Sequence, residues 1–147
     1  MGIVNKKATF DYMLLDRFEA GVALLGMEVK SIKTGHASLD GAFVKILDGE
    51  AFLINAQIFA YQYARPEHYD PKRTRKLLLH KKELLHLQTK LNGSNLTVVP
   101  VSWYNKGPRI KLEIALAKGK KQFEKRDSKK KEILRRELDR EFRGKVK

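Results

Sequence analysis

Arg109-Ile110-Lys111-Leu112-Glu113-Ile114-Ala115-Leu116 alternates residue by residue. Strand side chains point to opposite faces with a period of two. Ile110, Leu112, Ile114 and Leu116 therefore share one face, and Arg109, Lys111 and Glu113 share the other. This is the pattern of an antiparallel strand with a core on one side and water on the other. Asn105-Lys106-Gly107-Pro108 reads as the turn before it, and Leu96 to Tyr104 is rich in β-branched and aromatic residues.

Upstream, short apolar runs recur between turn residues. Ala42 to Leu47 and Ala51 to Ile54 flank Asp48-Gly49-Glu50, a strong hairpin signal. Lys76 to His80 is a further strand candidate. Ala8 to Leu15, with Phe10, Tyr12 and Leu14 alternating, reads as a strand, and Asp16 to Ala20 is polar. Gly21 to Leu25 is a second strand or a continuation of the first across a bend. Two short helices are expected. Val29 and Ile32 give one or two turns within Met27–Lys33, stopped at Gly35. Leu84, Leu87 and Leu91 give an amphipathic helix over Lys81–Leu91, ended at Asn92-Gly93. Ala64 to Thr74 holds Pro66 and Pro71 and is expected to be a basic loop. Six or so antiparallel strands with turns between neighbours suit a small closed β-barrel better than a parallel α/β sheet, and closure hides apolar edges.

The chain has 147 residues and a net charge of +14 from 31 Lys/Arg and 17 Asp/Glu. Lys118 to Lys147 alone carries 14 Lys/Arg against 6 Asp/Glu. This basic stretch holds little apolar surface to offset its ordering entropy, so residues 118–147 are expected to be an appendage, unstructured alone, on a core of residues 1–117. Leu134, Leu138 and Phe142 recur every four residues, which gives the appendage latent helical character. Such a charge suits a phosphate polyanion. The chain has no cysteine, hence no disulfide framework and no thiolate metal site. Its apolar runs are too short to span a bilayer, and no signal-peptide stretch follows the first lysines, so a cytoplasmic setting is expected.

No catalytic constellation is evident. His36, His68, His80 and His86 are scattered outside any HExxH pattern, and the glycine-rich phosphate loops GxxxxGK[ST] and GxGxxG are absent. No enzyme activity, cofactor or metal is expected. A binding role is better supported. Lys72, Arg73, Arg75, Lys76, Lys81 and Lys82 lie together without an intervening acid, and guanidinium forks match phosphate oxygens. Glu19 and Glu28 read either as ion-pair partners of Lys or Arg, or as acceptors for a base amino group or a 2′-hydroxyl.

FEAGVALLGMEVKSIKTG, DGEAFLINAQI, DPKRTRKLLLHKKEL, LTVVPVSWYNKG and KLEIALAKGKKQFEKR resemble, in that order, the SsrA-binding protein (SmpB) family over nearly all of Lys6 to Arg126. The resemblance implies an oligonucleotide-binding-type (OB) β-barrel with two or three peripheral helices and a basic tail. It implies binding to transfer-messenger RNA (tmRNA) and delivery of that RNA to ribosomes stalled on truncated messages. Elongation factor Tu and alanyl-tRNA synthetase are implied as indirect partners through tmRNA. Glu19, Leu78, His80 and Lys111 match family positions used for the tRNA-like part of the RNA. Lys30, Arg73, Arg75 and Lys76 complete the expected RNA-contacting set. Gly119 matches a hinge between barrel and tail, and Phe123 a position that stacks on a ribosomal base. Lys118, Lys120, Lys121, Lys125, Arg126, Lys129, Lys130 and Lys131 are the tail cations expected to meet the mRNA channel and the decoding centre of the small subunit. The chain departs from the family pattern at Met27, across Ser38 to Phe43, at Glu67-His68-Tyr69-Asp70 and at Glu124. A ribosome-associated barrel that holds ribosomal RNA is the alternative.

Overall fold

A computed structural model describes residues 3–61, 64 and 67–120. The expected tail contacts from Lys121 onward, namely Lys121, Phe123, Lys125, Arg126, Lys129, Lys130 and Lys131, lie outside the described residues. The elements in order are β1 (Ile3–Val4), α1 (Lys6–Asp11), β2 (Tyr12–Val22), α2 (Gly26–Lys33), β3 (Ala37–Ser38) and β4 (Phe43–Leu47). They continue with β5 (Glu50–Ile54), β6 (Gln57–Ile58), β7 (Arg75–Leu78), α3 (Lys81–Leu91), β8 (Leu96–Lys106) and β9 (Arg109–Gly119).

Six antiparallel strands close a ring in the order β8, β4, β5, β7, β2, β9 and back to β8. Strand β1 joins the outside of this order beside β8, and β3 and β6 pair separately. The chain is thus mainly β, an OB-like ring, as expected. The stretch RIKLEIAL lies in β9 and behaves as its alternation predicts: Ile110, Leu112, Ile114 and Leu116 are buried. Inside they meet Val98 and Trp103 of β8, Val44 of β4, Leu53 of β5 and Leu77 of β7. Ile32 of α2 and Leu87 of α3 join the same core. Full burial of each such side chain contributes roughly 1.5–3 kcal/mol.

Both long hairpins follow from their turns. Asp48 (φ 50°) and Gly49 (φ 74°) are both left-handed, as a tight β4–β5 turn of the primed kind requires. Gly107 (φ 61°) followed by Pro108 links β8 to β9, with Lys106 opposite Arg109.

Three expectations change. Phe10 lies in α1, not in a strand. The Asn5 side chain accepts the Ala8 N–H at 3.3 Å, donates to the Pro100 carbonyl at 2.9 Å, and is buried. This cap, anchored on β8, starts a helix where alternation alone pointed to a strand. Next, Tyr12 to Val22 is one strand that includes the polar Asp16–Ala20, bent by a register shift between Leu14 and Arg17. Finally, β9 continues past Ala117, with Lys118 opposite Leu96 and Gly119 opposite Tyr12. The expected core boundary at residue 117 therefore falls inside a paired strand.

Candidate RNA-binding face

Strand β7 pairs with the end of β2, with Leu78 opposite Gly21. Strand β9 lies on the other side of β2, with Leu112 opposite Ala20. Ala20, Leu77 and Leu112 point into the core, so their neighbours Glu19, Gly21, Leu78 and Lys111 point outward. Glu19, Leu78, His80 and Lys111 line one cavity of about 330 Å³, together with Gly21, Leu79 and Glu83. A second cavity of about 300 Å³ shares Gly21, Leu78 and Lys111 and is mostly apolar, with Leu24, Val29, Pro108 and Ile110 among its walls.

Gly21 keeps the ground between the two cavities low. A Cβ there would stand 3.3 Å from Leu78 Cβ and 3.6 Å from Lys111 Nζ. Leu78 is 56% exposed, an apolar side chain offered to solvent beside an ammonium group.

The Glu19 carboxylate accepts the Tyr104 hydroxyl at 2.6 Å and Lys106 Nζ at 3.0 and 3.3 Å. The Tyr104 hydrogen bond, then the Lys106 hydrogen bond, hold its pKa below the ordinary 4.5 against the opposing effect of burial, and the charges of Lys106 and Lys111 add lesser support. Burial first, then Glu19, push the Tyr104 phenol upward. The cavity therefore sets the Glu19 carboxylate, the Lys111 side chain and the apolar Leu78 side by side, with the Tyr104 phenol bonded to the carboxylate from outside it. A carboxylate can accept from a base amino group or a 2′-hydroxyl, Lys111 can meet a phosphate, and Leu78 can meet a ribose or base face. His80 stands at the N-cap of α3, its backbone N–H accepted by Glu83 at 3.0 Å, which leaves its imidazole at the cavity wall.

The other expected contacts fall elsewhere. Arg75 is corrected: its side chain is 0% exposed and cannot reach a phosphate. It donates to Glu28 at 2.6 and 2.8 Å and to the carbonyls of Ala56, Arg73 and Pro71. Glu28 is also fully buried and further accepts from Arg73, from the Tyr69 hydroxyl at 2.8 Å and from the Leu25 N–H at 2.9 Å. Burial raises its pKa, but the bonds from Arg73, Leu25, Arg75 and Tyr69 outweigh this and bring it down to about 2. Burial and the Glu28 anion push Tyr69 up to about 12. This cluster ties α2 to the segment leading into β7, and it answers the Glu28 alternative in favour of ion pairing. Arg73 keeps partial exposure while engaged there. Lys76 is exposed and reaches Glu50 at 3.2 Å. Lys30 lies over the Tyr61 ring at 5.6 Å, outside the cavity. Gly119, the expected hinge, is the last paired residue of β9, and the Lys120 N–H donates to the Asp11 carbonyl at 3.0 Å.

Sequence reasoning missed Gly21, Tyr104 and Lys106 as parts of this face. The turn at Gly107-Pro108 held the clue, since it sets Tyr104 opposite Lys111 and Lys106 opposite Arg109.

The chain matches the family model described as SmpB protein over residues 2–144. It is 49% identical over 143 residues to the SsrA-binding protein of Sulfurihydrogenibium sp. (strain YO3AOP1), covering 97% of this chain and 94% of that one. Identity to the SsrA-binding protein of Aquifex aeolicus (strain VF5) is 45%, covering 97% and 91%. A solved structure described as "tmRNA-SmpB: a journey to the center of the bacterial ribosome" superposes with a TM-score of 0.69 at 41% identity, covering 82% of this chain and 85% of that one. The ring, its outward-facing depression and these matches along nearly the whole chain have one reading: it belongs to the SmpB protein family.

Proposed function

We propose that this protein binds the tRNA-like domain of tmRNA and delivers it to stalled ribosomes for trans-translation, without a catalytic step of its own. The observation that carries the RNA half is the meeting of Glu19, Leu78, His80 and Lys111 around one cavity beside Gly21. Support for the ribosomal half comes from relatives named SsrA-binding protein and from the tmRNA-SmpB ribosome structure that the chain resembles. The work takes place in the cytoplasm, where elongation factor Tu and alanyl-tRNA synthetase join through tmRNA. The cations from Lys121 onward enter the vacant mRNA channel, while Lys118 stays within β9, and Phe123 stacks on a base near the decoding centre.

Gel-shift titration with the tRNA-like domain tests the RNA half. Glu19→Gln and Lys111→Ala each weaken binding by roughly tenfold, the equivalent of one lost polar contact, with unchanged thermal melts. Wild-type affinity in both variants refutes the site. A chain ending at Lys120 tests the ribosomal half: it still binds the RNA, and in a reconstituted translation reaction on a stop-less message it adds no tag. Full tagging by that shortened chain refutes the role given to the tail.

A further inference from the structure

The outer face of β4, β5 and β7 carries a row of side chains outside the cavity. Lys45 stands opposite Phe52, and Phe52 opposite Lys76, so the three line up across three strands. Their chain neighbours Val44, Ala51, Leu53, Arg75 and Leu77 are buried, which turns the row outward. Directly opposed Cβ atoms lie roughly 5 Å apart. Two lysines thus flank one phenyl ring across a span of roughly 10 Å, on the scale of a nucleotide.

Phe43, 38% exposed, pairs with Ile54 alongside the row and widens its apolar floor. Lys45 makes no ion pair among the described residues, and the Lys76–Glu50 pair is about half exposed on both sides. An exposed pair of that kind contributes little, so a phosphate can displace Glu50 readily. Leu78 follows Lys76 by two residues on the same face of β7, so the row runs directly into the cavity of Glu19 and Lys111.

We infer that this row is a second RNA contact: an unpaired stretch of RNA crosses β4, β5 and β7, with one base on Phe52 and its flanking phosphates on Lys45 and Lys76. Its continuity with the cavity rests on the RNA function proposed above. Its own chemistry is that of sheet faces that hold single strands, where aromatics stack bases without strong sequence preference and lysines follow the backbone. The row holds two cations, of which only Lys76 meets an acid, the exposed Glu50, and this favours a phosphate-bearing occupant.

Fluorescence anisotropy of a labelled oligouridylate, titrated with full-length protein at several salt concentrations, tests this. Phe52→Leu weakens binding at least about fivefold. Lys45→Ala and Lys76→Ala each reduce the slope of log K against log salt by about 0.7. Comparison with wild type cancels the contribution of cations elsewhere in the chain. Lys111→Ala, titrated in parallel with the tRNA-like domain, reports the cavity separately. If the row variants lose oligouridylate while Lys111→Ala keeps every RNA, the cavity assignment fails and the row stands. Should Phe52→Leu melt early, the two exposed lysines decide. Unchanged affinity and slope in the row variants, or no oligouridylate binding by wild type, overturns the inference.

Discussion

Replacing Glu28 with Gln keeps the shape of the buried cluster and removes its charge. A carboxyl that titrates at about 2 rather than 4.5 has its anion favoured by the fold by about 3 kcal/mol. Loss of one partner from a buried ion pair costs about 3–5 kcal/mol by general experience, because the remaining charge is stranded. Here the stranded groups are Arg75, which is wholly buried, and Arg73, which solvent can partly relieve. The expected loss at pH 7 is therefore about 3 kcal/mol, a large part of the stability of a small domain. The pH dependence has a definite sign. The folded-state pKa is depressed, so the wild-type contribution is complete above 4.5 and disappears as pH falls toward 2. Glu28→Gln has no such acid limb from this site. Urea unfolding at a series of pH values, followed by emission of the single tryptophan, buried Trp103, measures both effects. A variant within about 1 kcal/mol of wild type at pH 7, or one with the wild-type loss of stability between pH 5 and 2, refutes the account of the cluster.

Gly21→Val puts branched methyl groups against Leu78 and Lys111, and RNA affinity should fall by roughly tenfold, an overpacking cost of about 1–3 kcal/mol expressed in binding; gel shift and thermal melting distinguish this from unfolding. Arg75→Met should destabilise the fold by about 3 kcal/mol and leave the salt dependence of RNA binding unchanged, since the side chain is sealed from solvent. His86→Ala removes the exposed contact with Asp16 and the tilted ring contact with Phe18; the expected cost is below about 1 kcal/mol, measurable by urea unfolding.

Strand β9, the Asp-Gly hairpin and both expected helices were legible because each rests on local pattern. Other features depended on contacts distant in sequence. Alternation at Phe10, Tyr12 and Leu14 gave way to a helix because Asn5 is fixed to Pro100. The polar stretch Asp16–Ala20 is a strand because its outer face is solvated, with Arg17 reaching Glu113 at 2.9 Å. Arg75 was counted with the phosphate contacts on composition. Yet it shares its parity in β7 with Leu77, and both face inward; charge does not reveal which side of a strand a residue occupies, whereas parity does. The members of the cavity entered through family resemblance, and their meeting depends on three strands no local pattern could bring together.

The order in which the ring closes also bears on how the protein is made. Strand β2 begins at Tyr12, and its long partner β9 ends opposite it at Gly119. Pairing so distant in sequence is slow to form, on the ms–s scale typical of non-local β topologies. Synthesis delivers β2 early and β9 late, so the nascent chain carries an unpaired edge until nearly all of it has emerged. Glu19 lies on β2 and Lys111 on β9. The last strand to arrive therefore completes the proposed RNA face, and a chain interrupted before it lacks the lysine side of that cavity.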